Sequence, residues 1–232
     1  MNDDAKIVAA RKAIEYVQDG MTLGLGSGST AVHAIRAIGE RMRQEGLRVR
    51  GVPTSGRSRE LAEELGIPLV NLCDVREVDL TIDGADEVDP ALYLIKGGGG
   101  ALLREKIVAC ASRELVIICD DSKLKPTLGA FPLPVAIVPF GWQTTRERLL
   151  RFGGTITLRM AEGTNAPFVT DDGLYILDMH LGRIGDVPSL ERNVKKVVGV
   201  VEVGLFVHLA TRVIVGYADG HTEERTPFPK TQ

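Results

Sequence analysis

A chain of 232 residues with 44% hydrophobic and 25% charged side chains can bury a real core, in one domain or two. Its net charge of −3 argues against a broad nucleic-acid-binding surface. No apolar run approaches the ~20 residues that a membrane span needs, and the first residues, MNDDAKIVAARKA, lack an apolar signal core, so a soluble cytoplasmic protein is expected.

Ile7, Ala10, Ile14 and Val17 recur at helical spacing and predict an amphipathic helix over residues 3–19, capped by Asp3 or Asp4 and ended by Gly20. Lys6 reads there as a solvated lysine. A short strand, Thr22 to Leu25, then runs into the loop Gly26-Ser27-Gly28-Ser29-Thr30 and a helix with Ala31, Ile35 and Ile38 on one side. Three hydroxyls and two glycines leading into a helix N-terminus suit a phosphate. A plain turn with Ser/Thr caps explains the same residues. Neither nucleotide motif is present. Ser29 stands where a GxGxxG beginning at Gly24 needs glycine, and no GK[ST] follows.

RVRGVPTS predicts a strand and polar loop, SRELAEELG a helix closed by Gly66, and IPLVNL another strand. Thr54, Ser55 and Ser58 read first as helix caps. VDLTI (Val78 to Ile82) predicts a buried strand with DGADE just beyond its end, and ALLREKIVACA a helix with Leu103, Ile107 and Cys110 along its apolar side. The next strand, Leu115 to Cys119, ends in Asp120, Asp121 and Lys123. Alternating strands and helices up to about residue 128 predict a parallel, helix-covered sheet. Four prolines between Lys125 and Pro139 mark a boundary.

Beyond it, PVAIV, TTRERLLRFG, TITLRM, a strand–turn–strand stretch around Asp171-Asp172-Gly173, SLERNVKKV and GVVEVGLFV approximate β-α-β-β-α-β, the ferredoxin-like order. TRVIVGYADGHTEER predicts one more strand and a polar tail, returning to the first sheet. Cys73, Cys110 and Cys119 have apolar neighbours and no CxxC spacing, so they read as reduced core residues. His33, His180, His208 and His221 are scattered without metal-ligand spacing, and no structural zinc is expected.

The stretch Asp83 to Lys106 concentrates the chemistry. It sets Asp83, Asp86 and Glu105 close in sequence to Lys96 and the run Gly97 to Gly100. Ligands of open parallel sheets collect beyond the strand ends, and glycines let a ligand approach backbone N–H groups. Glu105 has Ala101, Leu102, Val108 and Ala109 as its helical neighbours, so no intrahelical ion pair accounts for it. A carboxylate among small apolar groups beside a glycine loop is a candidate general base. Taken singly, each residue has a bland reading: a solvated glutamate, turn aspartates, an exposed lysine. Their convergence on one glycine loop favours a site.

On these motifs the chain resembles the ribose-5-phosphate isomerase family, type A: GSGST (Gly26 to Thr30), DGADE (Asp83 to Glu87), KGGGGALLREK (Lys96 to Lys106), DDSK (Asp120 to Lys123), FPLPV and VTDDG…ILD. Gly100 stands where that family often has Ala, and Ser27 where Thr is common. The resemblance implies a Rossmann-like catalytic domain, residues 1–129 plus about 204–232, and a small ferredoxin-like domain, about 130–203. It implies isomerisation of ribose 5-phosphate and ribulose 5-phosphate without metal or organic cofactor, by a homodimer or dimer of dimers. It also implies Glu105 as proton acceptor, with Asp83, Asp86 and Lys96 at the sugar. Substrate contacts would come from Lys6, Ser27, Gly28, Ser29, Thr30, Gly84, Ala85, Gly97, Gly98, Gly99, Asp120 and Lys123. The rival readings are another sugar-phosphate isomerase, a coenzyme A transferase, or a non-catalytic sugar-phosphate sensor. A sensor would have no use for Glu105.

Overall fold

The computed structural model describes residues 3–227, so the last residues of the tail lie outside the described part. In chain order the elements begin α1 (Asp3–Ala13), β1 (Thr22–Leu25), α2 (Gly28–Glu45), β2 (Arg50–Pro53), α3 (Gly56–Glu64) and β3 (Val78–Gly84). Then come β4 (Glu87–Val88), β5 (Leu94–Ile95), α4 (Leu102–Cys110), β6 (Ser112–Asp120), β7 (Leu133–Ile137), α5 (Trp142–Leu149) and β8 (Thr155–Leu158). The last are β9 (Tyr175–His180), α6 (Val187–Lys195), β10 (Val200–Val203), β11 (Leu205–Phe206), β12 (Arg212–Gly216) and β13 (Thr222–Arg225). They form two compact units. Among the described residues, the first holds those up to Ala85, Arg104–Leu124 and those from His208 on, and the second holds Asp86–Leu103 and Lys125–Val207.

The first unit is built on a six-stranded sheet of order β13-β12-β6-β3-β1-β2, parallel except for β13. From β1 the chain moves outward to β2 and then returns to β3 on the other side of β1. The order therefore reverses between β1 and β3, the place where such sheets bind ligands. Its core includes Leu23, Leu25, Ile35, Ile38, Leu80, Ile82, Val116 and Ile118. The second unit has an antiparallel sheet of order β10-β7-β9-β8, crossed in sequence by α5 and α6, which is the ferredoxin-like arrangement. The small sheet β11-β5-β4 belongs to the same unit. The fold class is thus α/β, a mainly parallel sheet plus a smaller antiparallel one.

Several expectations change. The first helix stops at Ala13 and continues only as a short 3-10 turn to Tyr16, and its buried face is Ala5, Lys6, Ala9, Ala10 and Ala13. Small residues line that face because the helix lies close against the sheet: a Cβ on Gly216 would sit 1.9 Å from the Ala5 carbonyl oxygen. IPLVNL is reduced to an isolated bridge, Gly51 to Leu69, beside the edge strand β2. Strand β3 runs on through Asp83 and Gly84, which pair with Ile117 and Ile118. The arm expected before Asp171-Asp172-Gly173 forms no strand, only the bridge Met160–Pro167 lying ahead of it, and HTEER, read as tail, forms β13 on β12. Cys73 and Cys110 are exposed, and only Cys119 is in the core.

Helix α4 presents the reverse of its expected face. Ile107 is 48% exposed and Cys110 is exposed, whereas Leu102, Glu105, Lys106 and Ala109, at spacings of three, one and three, are buried. Apolar count alone pointed to the wrong side, because the helix puts its acid inward.

Candidate active site

In the first unit the polar groups gather at the C-terminal ends of β1, β3 and β6. Asp83, 1% exposed, accepts on Oδ1 from the Ser27 N–H (2.9 Å) and the Gly84 N–H (2.8 Å). Gly26 makes this approach feasible, since an added Cβ there would lie 2.4 Å from Asp83 Oδ1. Ser27 precedes α2 without capping it by its side chain. Its hydroxyl instead meets Thr54 Oγ1 at 2.8 Å and donates to Ser55 Oγ at 2.7 Å. Thr54 is fully buried and Ser55 caps α3 in a reciprocal box with Ser58, so this hydroxyl cluster fixes the loop.

Lys6 is not solvated. It is 5% exposed, and its Nζ donates to Ser29 Oγ at 3.0 Å. Gly28, Ser29 and Thr30 form the first turn of α2, where N–H groups and the helix dipole favour an anion. Two of the loop's donors are already engaged: Gly26 N–H by the Ile82 carbonyl (3.0 Å) and Ser27 N–H by Asp83. Asp120 ends β6 and accepts from Ser122 N–H at 3.1 Å, capping the short turn that carries Lys123. Burial, reinforced by the neighbouring Asp120 charge, pushes the Cys119 thiol up to about 12. Glu105 lies in the first turns of α4 at 5% exposure.

In the second unit Asp86 accepts the Gly98 N–H on Oδ2 at 2.8 Å. Gly98 is bare because a Cβ would lie 2.6 Å from Asp86 Oδ1. Lys96 is 2% exposed. Its N–H donates to the Gly204 carbonyl (2.8 Å), and its Nζ stands 5.4 Å over the Phe206 ring. Gly97 and Gly100 have φ of +106° and +89°, where side chains other than glycine's are strained. At Gly100 an added Cβ would also lie 2.5 Å from the Phe168 ring, which accounts for glycine at this position.

Three residues were not singled out by sequence. Glu87 is 1% exposed and accepts from Gly129 N–H (2.7 Å) and Phe131 N–H (2.6 Å), so it ties down the loop before β7. Arg159 and Asp178 pair on β8's end and β9, with the guanidinium also reaching the glycine run. Their separation by nineteen positions hid the pair, since only the β8–β9 register joins them. Among the described residues, no group of three or more His, Cys, Asp and Glu side chains is placed to hold a metal ion. No described helix is long and apolar enough to cross a membrane.

A parallel sheet with a buried carboxylate and a hydroxylated loop at the reversal of strand order, and with the buried Lys6 of α1 against that loop, has the architecture of an α/β enzyme. The profile of ribose 5-phosphate isomerase A (phosphoriboisomerase A) matches residues 50–220. Proteins named ribose-5-phosphate isomerase A from Ruegeria sp. (strain TM1040) and Cereibacter sphaeroides (strain ATCC 17025) are 53% and 54% identical over 96% of this chain, covering 87% and 91% of their own lengths. The solved ribose 5-phosphate isomerase A of Methanocaldococcus jannaschii superposes with a TM-score of 0.93 at 40% identity, covering 97% of this chain and all of its own. A solved D-ribose-5-phosphate isomerase in complex with phospho-erythronic acid gives 0.94 at 36% identity, covering 97% of this chain and 99% of its own. The chain belongs to the ribose 5-phosphate isomerase A family.

Proposed function

We propose that this protein interconverts D-ribose 5-phosphate and D-ribulose 5-phosphate, the aldose–ketose step of the non-oxidative pentose phosphate pathway. The supporting observation is membership of the isomerase family over nearly the whole chain, with the acids, lysine and glycines of its motifs intact. Glu105 takes the proton from C2 of the open-chain sugar and returns it to C1, through an enediolate. Glu105 is 5% exposed in the first turns of α4, a carboxylate held out of bulk solvent. Lys96 and the N–H of Gly99 stabilise the oxyanion that develops, with Gly97 and Gly98 beside it. Asp83 and Asp86 move protons among the hydroxyls, including ring opening, with Gly84 and Ala85 lining the sugar. Lys6, Ser27, Gly28, Ser29, Thr30, Asp120 and Lys123 bind the remainder of the substrate, the phosphate falling to Lys6 and the α2 N-terminus. The 3.0 Å Lys6–Ser29 contact supports that last assignment.

The working form is a cytoplasmic homodimer or dimer of dimers that needs no cofactor, with catalytic domain 1–129 plus about 204–232 and small domain about 130–203. The test is incubation with ribose 5-phosphate in deuterated water. Ribulose 5-phosphate should appear, bearing deuterium at C1 wherever the transferred proton has exchanged. No ketose from wild-type protein would refute the reading.

A further inference from the structure

Arg159 uses both edges of its guanidinium. One edge grips Asp178, with Nε to Oδ2 at 2.9 Å and Nη2 to Oδ1 at 2.5 Å. The remaining nitrogen, Nη1, donates to the carbonyl oxygens of Gly97 (2.8 Å) and Gly98 (3.0 Å). Both side chains are largely buried, at 16% and 15% exposure, so the pair is weakly screened and geometrically fixed. The peptide bonds of the described residues are all trans. In a trans peptide the N–H points opposite to the C=O. Pinning the Gly97 carbonyl therefore turns the Gly98 N–H away from Arg159, and that N–H is the one that meets Asp86 Oδ2 at 2.8 Å. Pinning the Gly98 carbonyl turns the Gly99 N–H the same way. Around Gly99 an added Cβ would meet nothing within 4 Å, so this peptide borders open space. Glycine peptides have no side chain to hold such an orientation, and the arginine supplies the restraint.

We infer that Arg159, anchored by Asp178, is a positioning residue for the isomerisation: it locks two peptide planes of the glycine run so that their N–H groups face Asp86 and the reacting sugar. The inference rests on the isomerase reading above. Arg159 touches no reacting atom. Its effect is to keep the donors oriented before charge develops, so it belongs to the transition state more than to phosphate binding.

The test compares wild type, Arg159→Met, Arg159→Lys and Asp178→Asn. Arg159→Met should lower kcat by about 10–100-fold, less than the ~10²–10³-fold for outright loss of an oxyanion donor. KM for ribose 5-phosphate should change by less than about threefold, because uniform binding is spared. Binding of phospho-erythronic acid, whose carboxylate resembles the enediolate's charge, should weaken by about the same factor as kcat. Binding of inorganic phosphate should stay as in wild type. Arg159→Lys should not rescue, since an ammonium cannot grip Asp178 and both carbonyls in one plane. If Arg159→Met fails to fold, Asp178→Asn decides: it keeps the arginine but loosens its anchor, and should lose about 3–30-fold in kcat with phosphate binding intact. Turnover within twofold of wild type in the decisive variant, or equal weakening of phosphate and phospho-erythronic acid, would overturn the inference. An inactive wild type would instead overturn the isomerase reading.

Discussion

Glu105 is the proposed base, and Cys119 shows what burial does to an acid. Glu105→Gln preserves size and hydrogen bonding but removes the basic lone pair. It should lower kcat by about 10²–10⁴-fold with KM nearly unchanged, and thermal unfolding should occur at the wild-type temperature. The same variant should stop exchanging the C2 proton with deuterated solvent. Near-normal turnover would shift the role of base to Asp83 or Asp86. The cysteines separate by exposure. A chromogenic disulfide reagent should titrate two thiols quickly, Cys73 and Cys110, and the third only on unfolding. Cys119 rises from an ordinary 9.0 to about 12 in the folded protein. The unfolded thiol therefore ionises first, so the group's contribution to stability is complete below pH 9 and is lost as pH rises towards about 12. Cys119→Ala should make the stability curve flatter in that window. An unchanged slope would count against the shift.

At the scale of elements, α1 and α4 carry their functional residues by packing decisions that a hydropathy pattern misses. Gly216 lets α1 approach β12, and Lys6 follows Ala5, whose carbonyl would collide with a Cβ there. Gly216→Ala should cost about 1–3 kcal/mol through overpacking. It should also raise KM for ribose 5-phosphate by displacing Lys6, measured by denaturant unfolding alongside steady-state kinetics. For α4 the contrast is between faces. Ile107→Lys, at a half-exposed position, should change stability by less than about 0.5 kcal/mol, whereas Val108→Ala should cost about 1–3 kcal/mol. If Ile107→Lys were the more destabilising, the orientation of the helix would be wrong.

For the whole molecule, the phosphate assignment predicts a large discrimination. Unphosphorylated ribose should react with a kcat/KM at least about 10²-fold below that of ribose 5-phosphate, because remote binding energy is spent in the transition state. Comparable values would dismiss Lys6 and the α2 N-terminus as the phosphate site. Activity should survive EDTA. Loss on chelation, reversed by a divalent ion, would contradict a metal-free reaction.

Much of this was written in local sequence. Strand β1, the ferredoxin-like order of β7 to β10 and the DGADE and KGGGG motifs are short-range patterns, set by periodicity, turn residues and glycine conformations within a few positions. Family membership follows from those motifs too. The tertiary structure decided what depends on neighbours distant in sequence. Packing against the sheet buried Lys6 and gave it Ser29, twenty-three positions away. The pairing of β8 with β9 brought Asp178 to Arg159, and Arg159 reaches glycines sixty-two and sixty-one positions earlier. The inward turn of Glu105 likewise came from which face α4 offers the core. A charge at a buried position breaks the apolar pattern from which burial is read, so hydropathy fails at the residues that carry the chemistry.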